Sequence, residues 1–222
     1  MRNKVLTAVA MVLLGTVTAQ AEPRFHAPGD LLENSGEGVK SPVLFFPEMR
    51  FPIESGPVYA NSHAYSIGGA KGPTGDSCEA SNYSFPWRDN FCEFRRSDQP
   101  LCGAGGHTGQ DLRPATCEKS VHWAVAATNG VIAHVGRFAV TVQSSDGALH
   151  RYVHLDMDSV AVAPMDRVAK GDRIGKVSNS WLSEIPIHLH YDIKQPMQID
   201  GQVHALFLPP YSSLVAAYEK LN

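Results

Sequence analysis

Ile187-His188-Leu189-His190-Tyr191-Asp192-Ile193 is the stretch whose reading decides the fold. On an extended strand successive side chains point to opposite faces. His188 and His190 therefore project from one face, while Ile187, Leu189, Tyr191 and Ile193 take the other. Two imidazoles over an apolar backing have a chemical use that packing alone does not require. Upstream lies Gly106-His107-Thr108-Gly109-Gln110-Asp111, where Gly109 permits a tight backbone that brings the imidazole and the carboxylate toward one point. His107, Asp111 and His190 together have the ligand types of a catalytic zinc site, which keeps one open position for water and lowers that water's pKa toward about 7. Two histidines are left for proton transfer or for hydrogen bonding a developing oxyanion. They are His188, and His154 in the alternating run Tyr152-Val153-His154-Leu155, which puts His154 and Tyr152 on one face.

Outward from this core, residues from about Gly103 read as strand after strand. Trp123 to Ala126, Val131 to Val135, Ala139 to Gln143, Leu149 to Leu155, Arg173 to Val177 and His188 to Ile193 are short and β-branched or alternating. Turn sequences separate them: Asn129-Gly130, Asp146-Gly147 and Lys170-Gly171-Asp172. The pattern predicts an antiparallel sandwich or barrel. Ser212 to Leu221 carries Leu214, Ala217, Tyr218 and Leu221 at helical spacing, with Ser212 as N-cap, and closes the chain as a helix. Residues 22 to 102 have a different texture, rich in Pro, Gly, Ser and Asn. They predict a loop-rich extension with short strands at Val43 to Phe46 and Val58 to Ala60, and the aromatics Tyr83, Phe85, Trp87, Phe91 and Phe94 argue against disorder.

The first 21 residues read as a signal peptide. Arg2 and Lys4 precede an apolar run, Val5 to Val17, and Ala19-Gln20-Ala21 is a small-x-small cleavage site. No later stretch is long and apolar enough for a membrane span. The expectation is a periplasmic or secreted product beginning at Glu22. A net charge of -3 leaves no basic footprint for nucleic acid. Four cysteines, Cys78, Cys92, Cys102 and Cys117, predict two disulfides in an exported chain. Three connectivities are open; the sequential one, 78 with 92 and 102 with 117, is preferred because each bridge closes a moderate loop worth about 3 kcal/mol.

The order of motifs is specific as a set. Gly-His-x-Gly-x-Asp at Gly106 to Asp111, Tyr-x-His-Leu at Tyr152 to Leu155, the turn Gly171-Asp172-Arg173-Ile174-Gly175 and His-Leu-His-Tyr-Asp at His188 to Asp192 resemble the lysostaphin/LytM-type metallopeptidases. The likeness covers roughly Gly103 to Pro196, with Asn129-Gly130-Val131-Ile132 similar to the family's early hairpin. It implies a small, mainly antiparallel β domain with a groove across one sheet. It implies an endopeptidase holding one Zn2+ ion and cutting the stem peptides or cross-bridges of peptidoglycan. By it, His107, Asp111 and His190 match the zinc ligands, and His154 and His188 the two catalytic histidines. Three departures stand out, one being that the strand following Gly136 lacks the family's extra glycines. Ser178 to Pro186 lacks the family's glycines before its H-x-H, and Asp192 stands where Glu is common.

The division that follows is a signal peptide (1–21), the extension (22–102), a LytM-type domain (103–200) and a C-terminal segment with a helix (201–222). A reading from a different class is a non-catalytic wall-binding or amidase-activating member of the same fold. Such members have degraded metal sets and often coiled coils, whereas here all five positions are filled and no heptads occur. A zinc amidase or carboxypeptidase would share the metal chemistry. His26, His63, His122, His134, His150 and His204 have no partner at ligand spacing and read as non-functional. Trp181 reads as a groove wall, and the extension as structural rather than inhibitory, because disulfides would tether it.

Overall fold

The computed structural model describes residues 24–97, 99–102, 105–181 and 185–221. The apolar leader and its cleavage point after Ala21 lie outside the described residues, as does part of the loop before His188. The described strands are β1 (Tyr59–Ala60), β2 (Gln110–Arg113), β3 (Trp123–Val125), β4 (Gly130–Val135), β5 (Ala139–Ser144) and β6 (Leu149–Val153). They continue with β7 (Leu155–Asp156), β8 (Arg167–Val168), β9 (Arg173–Val177), β10 (Leu189–Ile199) and β11 (Gln202–Phe207), before helix α1 (Tyr211–Glu219). The larger sheet runs β1-β2-β10-β6-β5-β4-β8, with β11 added to β10, and the smaller runs β3-β9-β7. All pairs are antiparallel. The larger sheet ends at β1 and β8, so it is an open layer rather than a closed barrel.

One core joins the two sheets. The apolar face of β10 (Leu189, Tyr191, Ile193) is fully buried with Val140 and Val142 of β5, Tyr152 of β6, and Ile174 and Val177 of β9. The N-terminal residues contribute Phe51, Ile53, Val58 and Trp87 to the same cluster. Trp87 donates from Nε1 to Val58 O at 2.8 Å, and Tyr152 Oη accepts from Ala127 N at 2.7 Å, so the polar tips of these buried rings are satisfied. On α1, Leu214, Ala217 and Tyr218 are buried, and Tyr218 lies 4.5 Å from Trp87 between ring centroids.

Several expectations are corrected. Val43 to Phe46 is not a strand; Val43 and Leu44 are exposed, and Phe46 turns in to donate its N–H to Ser213 Oγ. Ser212 is not the helix cap, since Pro210 occupies that position and Ser212 Oγ donates to Ser41 O. Gln110 to Arg113 is not among the strands expected from the sequence. It is a strand buried at every position, and burial on both faces erases the alternation that betrays strands. β10 and β11 form a hairpin not among the expected strands, turning at Asp200-Gly201, whose φ values of 49° and 78° suit a two-residue hairpin.

The disulfides also differ from the preferred pairing: Cys78 bonds Cys117 and Cys92 bonds Cys102, with Cα separations of 5.5 and 5.1 Å. Loop length did not decide this. Arg113 at the end of β2 donates to Ser77 O at 3.2 Å, which brings the Cys78 turn to the segment leading to Cys117. Gly106 nests against both Cys92 and Cys102, where a Cβ would meet Cys92 Cα and Cys102 Cβ at 2.9 Å.

Candidate metal centre

Strand order places the first donors. β10 lies between β2 and β6, with His190 opposite Asp111 on one side and Val153 on the other. His107 enters just ahead of β2, its N–H donating to Glu93 O at 2.8 Å. Gly109 is required here for close approach rather than for an unusual φ. A Cβ on it would sit 2.3 Å from Tyr191 O and 2.6 Å from Asp192 Cβ.

The donor atoms converge on Asp111 Oδ1. His107 Nε2 lies 3.1 Å from it, His190 Nδ1 3.4 Å and His188 Nε2 3.5 Å, while His107 Nε2 and His190 Nδ1 are 2.8 Å apart. One atom each from His107, Asp111 and His190 falls within 4.8 Å of the others, and all three residues are buried. Zinc bonds of about 2.0–2.1 Å at tetrahedral angles separate ligand atoms by about 3.3 Å, so the donor spacing fits such an ion.

The remaining ring nitrogens set the tautomers. His107 Nδ1–H donates to Asn90 O at 2.8 Å, His188 Nδ1–H to Pro186 O at 2.6 Å and His154 Nδ1–H to Ser180 O at 2.9 Å. Each ring then turns an Nε2 lone pair elsewhere. His188 Nε2 is buried without a hydrogen-bond partner among the described residues. An orphan acceptor in the centre of a polar cluster is what a site awaiting a cation or a water displays.

Burial drives His107 down to about 4 and His154 to about 3, and holds His188 well below the imidazole range, with neighbouring rings adding to the effect on His154 and His188. Such low values favour the neutral ring, the form in which an imidazole can bind a metal or accept a proton. Burial alone would raise Asp111, yet the His107, His63 and His188 rings hold it well below its usual range. His190 is pushed up in spite of burial, because Asp111 and Asp192 both accept from it. A positive centre between those carboxylates is electrostatically favoured.

His154 reaches the site differently from expectation. The alternating run predicted that it shares a face with Tyr152. Instead its φ of 70° breaks the ladder between β6 and β7, and Tyr152 is fully buried in the core. His154 turns with Arg151 and Val153 into a cavity of about 440 Å³ that Phe138, Trp181 and Arg95 also line. The His154 and His188 rings are 4.6 Å apart, and Trp181 packs 4.3 Å from Phe138.

His63, expected from the sequence to be non-functional, lies in the cluster. Its Nδ1 lies 2.7 Å and its N–H 3.1 Å from Asp111 Oδ2, and its ring stacks on His188 at 4.2 Å. No spacing signal marks it, since it lies in a loop 44 residues or more from every predicted ligand. The other five histidines set aside do not join this cluster.

A β-sheet groove with three convergent donor atoms and spare neutral imidazoles defines a candidate metal-binding domain. Residues 105–203 match the model of Peptidase family M23. Some solved structures are similar to part of this chain. A chain from Ruminococcus gnavus described as a candidate glycyl-glycine endopeptidase lytM is 25% identical, covering 51% of this chain and 47% of that one at a TM-score of 0.43. The antimicrobial peptidase lysostaphin from Staphylococcus simulans is 21% identical, covering 57% and 50% at 0.39. A zinc-containing peptidase from Vibrio cholerae is 17% identical, covering 50% and 33% at 0.33. The chain thus spans half or less of the length of these three. No curated protein matches it in sequence.

Proposed function

We propose that the protein is a zinc-dependent endopeptidase that hydrolyses peptide cross-links of peptidoglycan outside the cytoplasm. The observation that carries this reading is the convergence of His107 Nε2, Asp111 Oδ1 and His190 Nδ1 within 4.8 Å of one another. Two nitrogens and one anionic oxygen leave a coordination position free, as catalytic rather than structural zinc sites do. When bound, zinc polarises the scissile carbonyl and acidifies a water.

His188 and His154 carry the protons. With Nδ1–H committed to a carbonyl, each neutral ring can act first only as an acceptor at Nε2. His188, whose Nε2 lies 3.5 Å from Asp111 Oδ1, takes a proton from the attacking water. The resulting Nε2–H is then a donor, able to return that proton to the leaving amine or to hydrogen-bond the oxyanion. His154 supplies the second such ring at the cavity edge, and Trp181 and Phe138 form an aromatic wall for the peptide. Two disulfides support an oxidising compartment, and no helix among the described residues is long and apolar enough to cross a membrane. Stem peptides or cross-bridges are the substrate of this reading; a regulatory partner is not identified by any feature of the site.

The test is digestion of purified cross-linked muropeptides followed by mass spectrometry. One zinc per chain, new uncross-linked products and loss of both on chelation are the expected results. A metal-free protein that leaves the polymer and its isolated stems uncut would favour the wall-binding or amidase-activating alternative.

A further inference from the structure

β1 runs antiparallel to β2 with Ala60 opposite Leu112. Continuing that register one step brings the chain beyond Ala60 level with Asp111, so the segment Asn61-Ser62-His63 is delivered to the back of the carboxylate. Ser62 fixes the turn there. Its Oγ accepts from Ala64 N at 3.1 Å and Tyr65 N at 2.9 Å, and donates to the buried Glu93 Oε2 at 2.7 Å. Arg95 donates to the same Glu93 oxygen at 2.7 Å and lies 3.7 Å from Asp111 Oδ2.

The two oxygens of Asp111 are thereby divided. Oδ1 faces the imidazoles of His107, His188 and His190. Oδ2 faces the His63 ring, the His63 N–H and Arg95. We infer that His63 is a positioning residue of the metal centre, whose two donors engage Asp111 Oδ2 so that Oδ1 alone is presented to the ion. Its ring face, stacked on His188 with an interplanar angle of 16°, also fixes the plane of that proton-transfer group. The N-terminal residues are on this account an integral wall of the centre rather than a detachable cover. The inference rests on the metal site proposed above.

A second arrangement deserves comparison, since His63, Asp111 and His188 also have donor atoms within 4.8 Å of one another. Nearly parallel stacked rings direct their in-plane lone pairs side by side rather than toward one point, which disfavours a shared ion. The direct contact of Nδ1 with Asp111 Oδ2 already satisfies both partners.

The experiment is chelator-competition measurement of zinc affinity in the disulfide-intact protein, for wild type, His63→Ala, His63→Asn and His63→Gln. Ligand-supporting hydrogen bonds are worth about 10- to 100-fold in metal affinity. His63→Ala and His63→Gln are expected to lose that much. His63→Asn, whose amide nitrogen stands where Nδ1 does, should recover most of it. The visible spectrum of the cobalt-substituted protein should change in the Ala and Gln variants and return in Asn. If His63→Ala does not fold, the Asn–Gln comparison decides. Unchanged affinity in Ala and Gln, a faster Ala enzyme, or a second zinc equivalent that His63→Ala removes would each overturn the inference while leaving the proposed function standing. Wild-type protein that binds no zinc would remove both.

Discussion

His190 and Asp192 lie two positions apart on β10 and meet on its groove face, with His190 Nε2 2.8 Å from Asp192 Oδ2. The same carboxylate accepts from Thr108 Oγ1 at 3.1 Å and from Arg151, whose Nε is 3.1 Å from each oxygen. Burial would raise Asp192, but His190 and Arg151 hold it ionised, well below its usual range. The Asp192 carboxylate thus reaches the ring and leaves Nδ1 facing Asp111. Replacing the charge in Asp192→Asn should weaken zinc binding about 10-fold or more, with the fold retained. Isothermal titration with zinc checks this, and an unchanged affinity would disconnect Asp192 from the centre.

The proposed ligands and the proposed proton carriers should separate in a substitution series. His190→Ala and His107→Ala are expected to leave the column without zinc. His188→Ala and His154→Ala should keep it and lose about 100- to 10,000-fold in kcat. Elemental analysis beside single-turnover kinetics distinguishes the groups, and a zinc-free His154→Ala would reassign that residue.

Gly109→Ala tests the close crossing of the His107 loop over β10. The added Cβ would meet backbone at Tyr191 O, 2.3 Å away, which cannot rotate aside. A loss of about 1–3 kcal/mol in stability is expected, together with weaker zinc binding as His107 and Asp111 are displaced. Denaturant titration of the apo and zinc forms measures both effects.

Stability should fall on acidification through His150, which lies on the core face of the larger sheet away from the proposed metal ligands. Burial lowers it to about 4, with Asp146 and Asp192 pulling weakly the other way, and its Nδ1 lies 2.6 Å from the Tyr191 hydroxyl. The folded-state pKa is below the unfolded one of about 6.5, so the unfolded chain binds the proton first. This contribution is complete above pH 6.5 and is lost as pH drops toward 4, at a cost on the order of 3 kcal/mol. Unfolding free energies of wild type and His150→Asn against pH should differ in slope within that window. Parallel curves would show that His150 does not titrate on unfolding.

Much of the fold was legible because strands with one wet face announce themselves by alternation. Leu189, Tyr191 and Ile193 went to the core and His190 to the groove as the pattern demanded. Where burial is two-sided, as in β2, the pattern vanished and the strand was missed. His154 shows a different failure: the residue was found, but a single left-handed φ reversed its face and no composition rule anticipates that. The Asp200-Gly201 turn was written in the chain and went unread.

The sequence alone determined the periodic and local features: which short runs become strands, and which imidazoles and carboxylate can meet once β2 and β10 are neighbours. Alternation and motif spacing are properties of adjacent residues, and they survive without knowledge of the fold. Only the tertiary structure decided the cysteine partners, the direction of His154 and the arrival of His63 behind Asp111. Those depend on how distant segments are laid side by side, and through-space proximity leaves no mark on the spacing along a single chain.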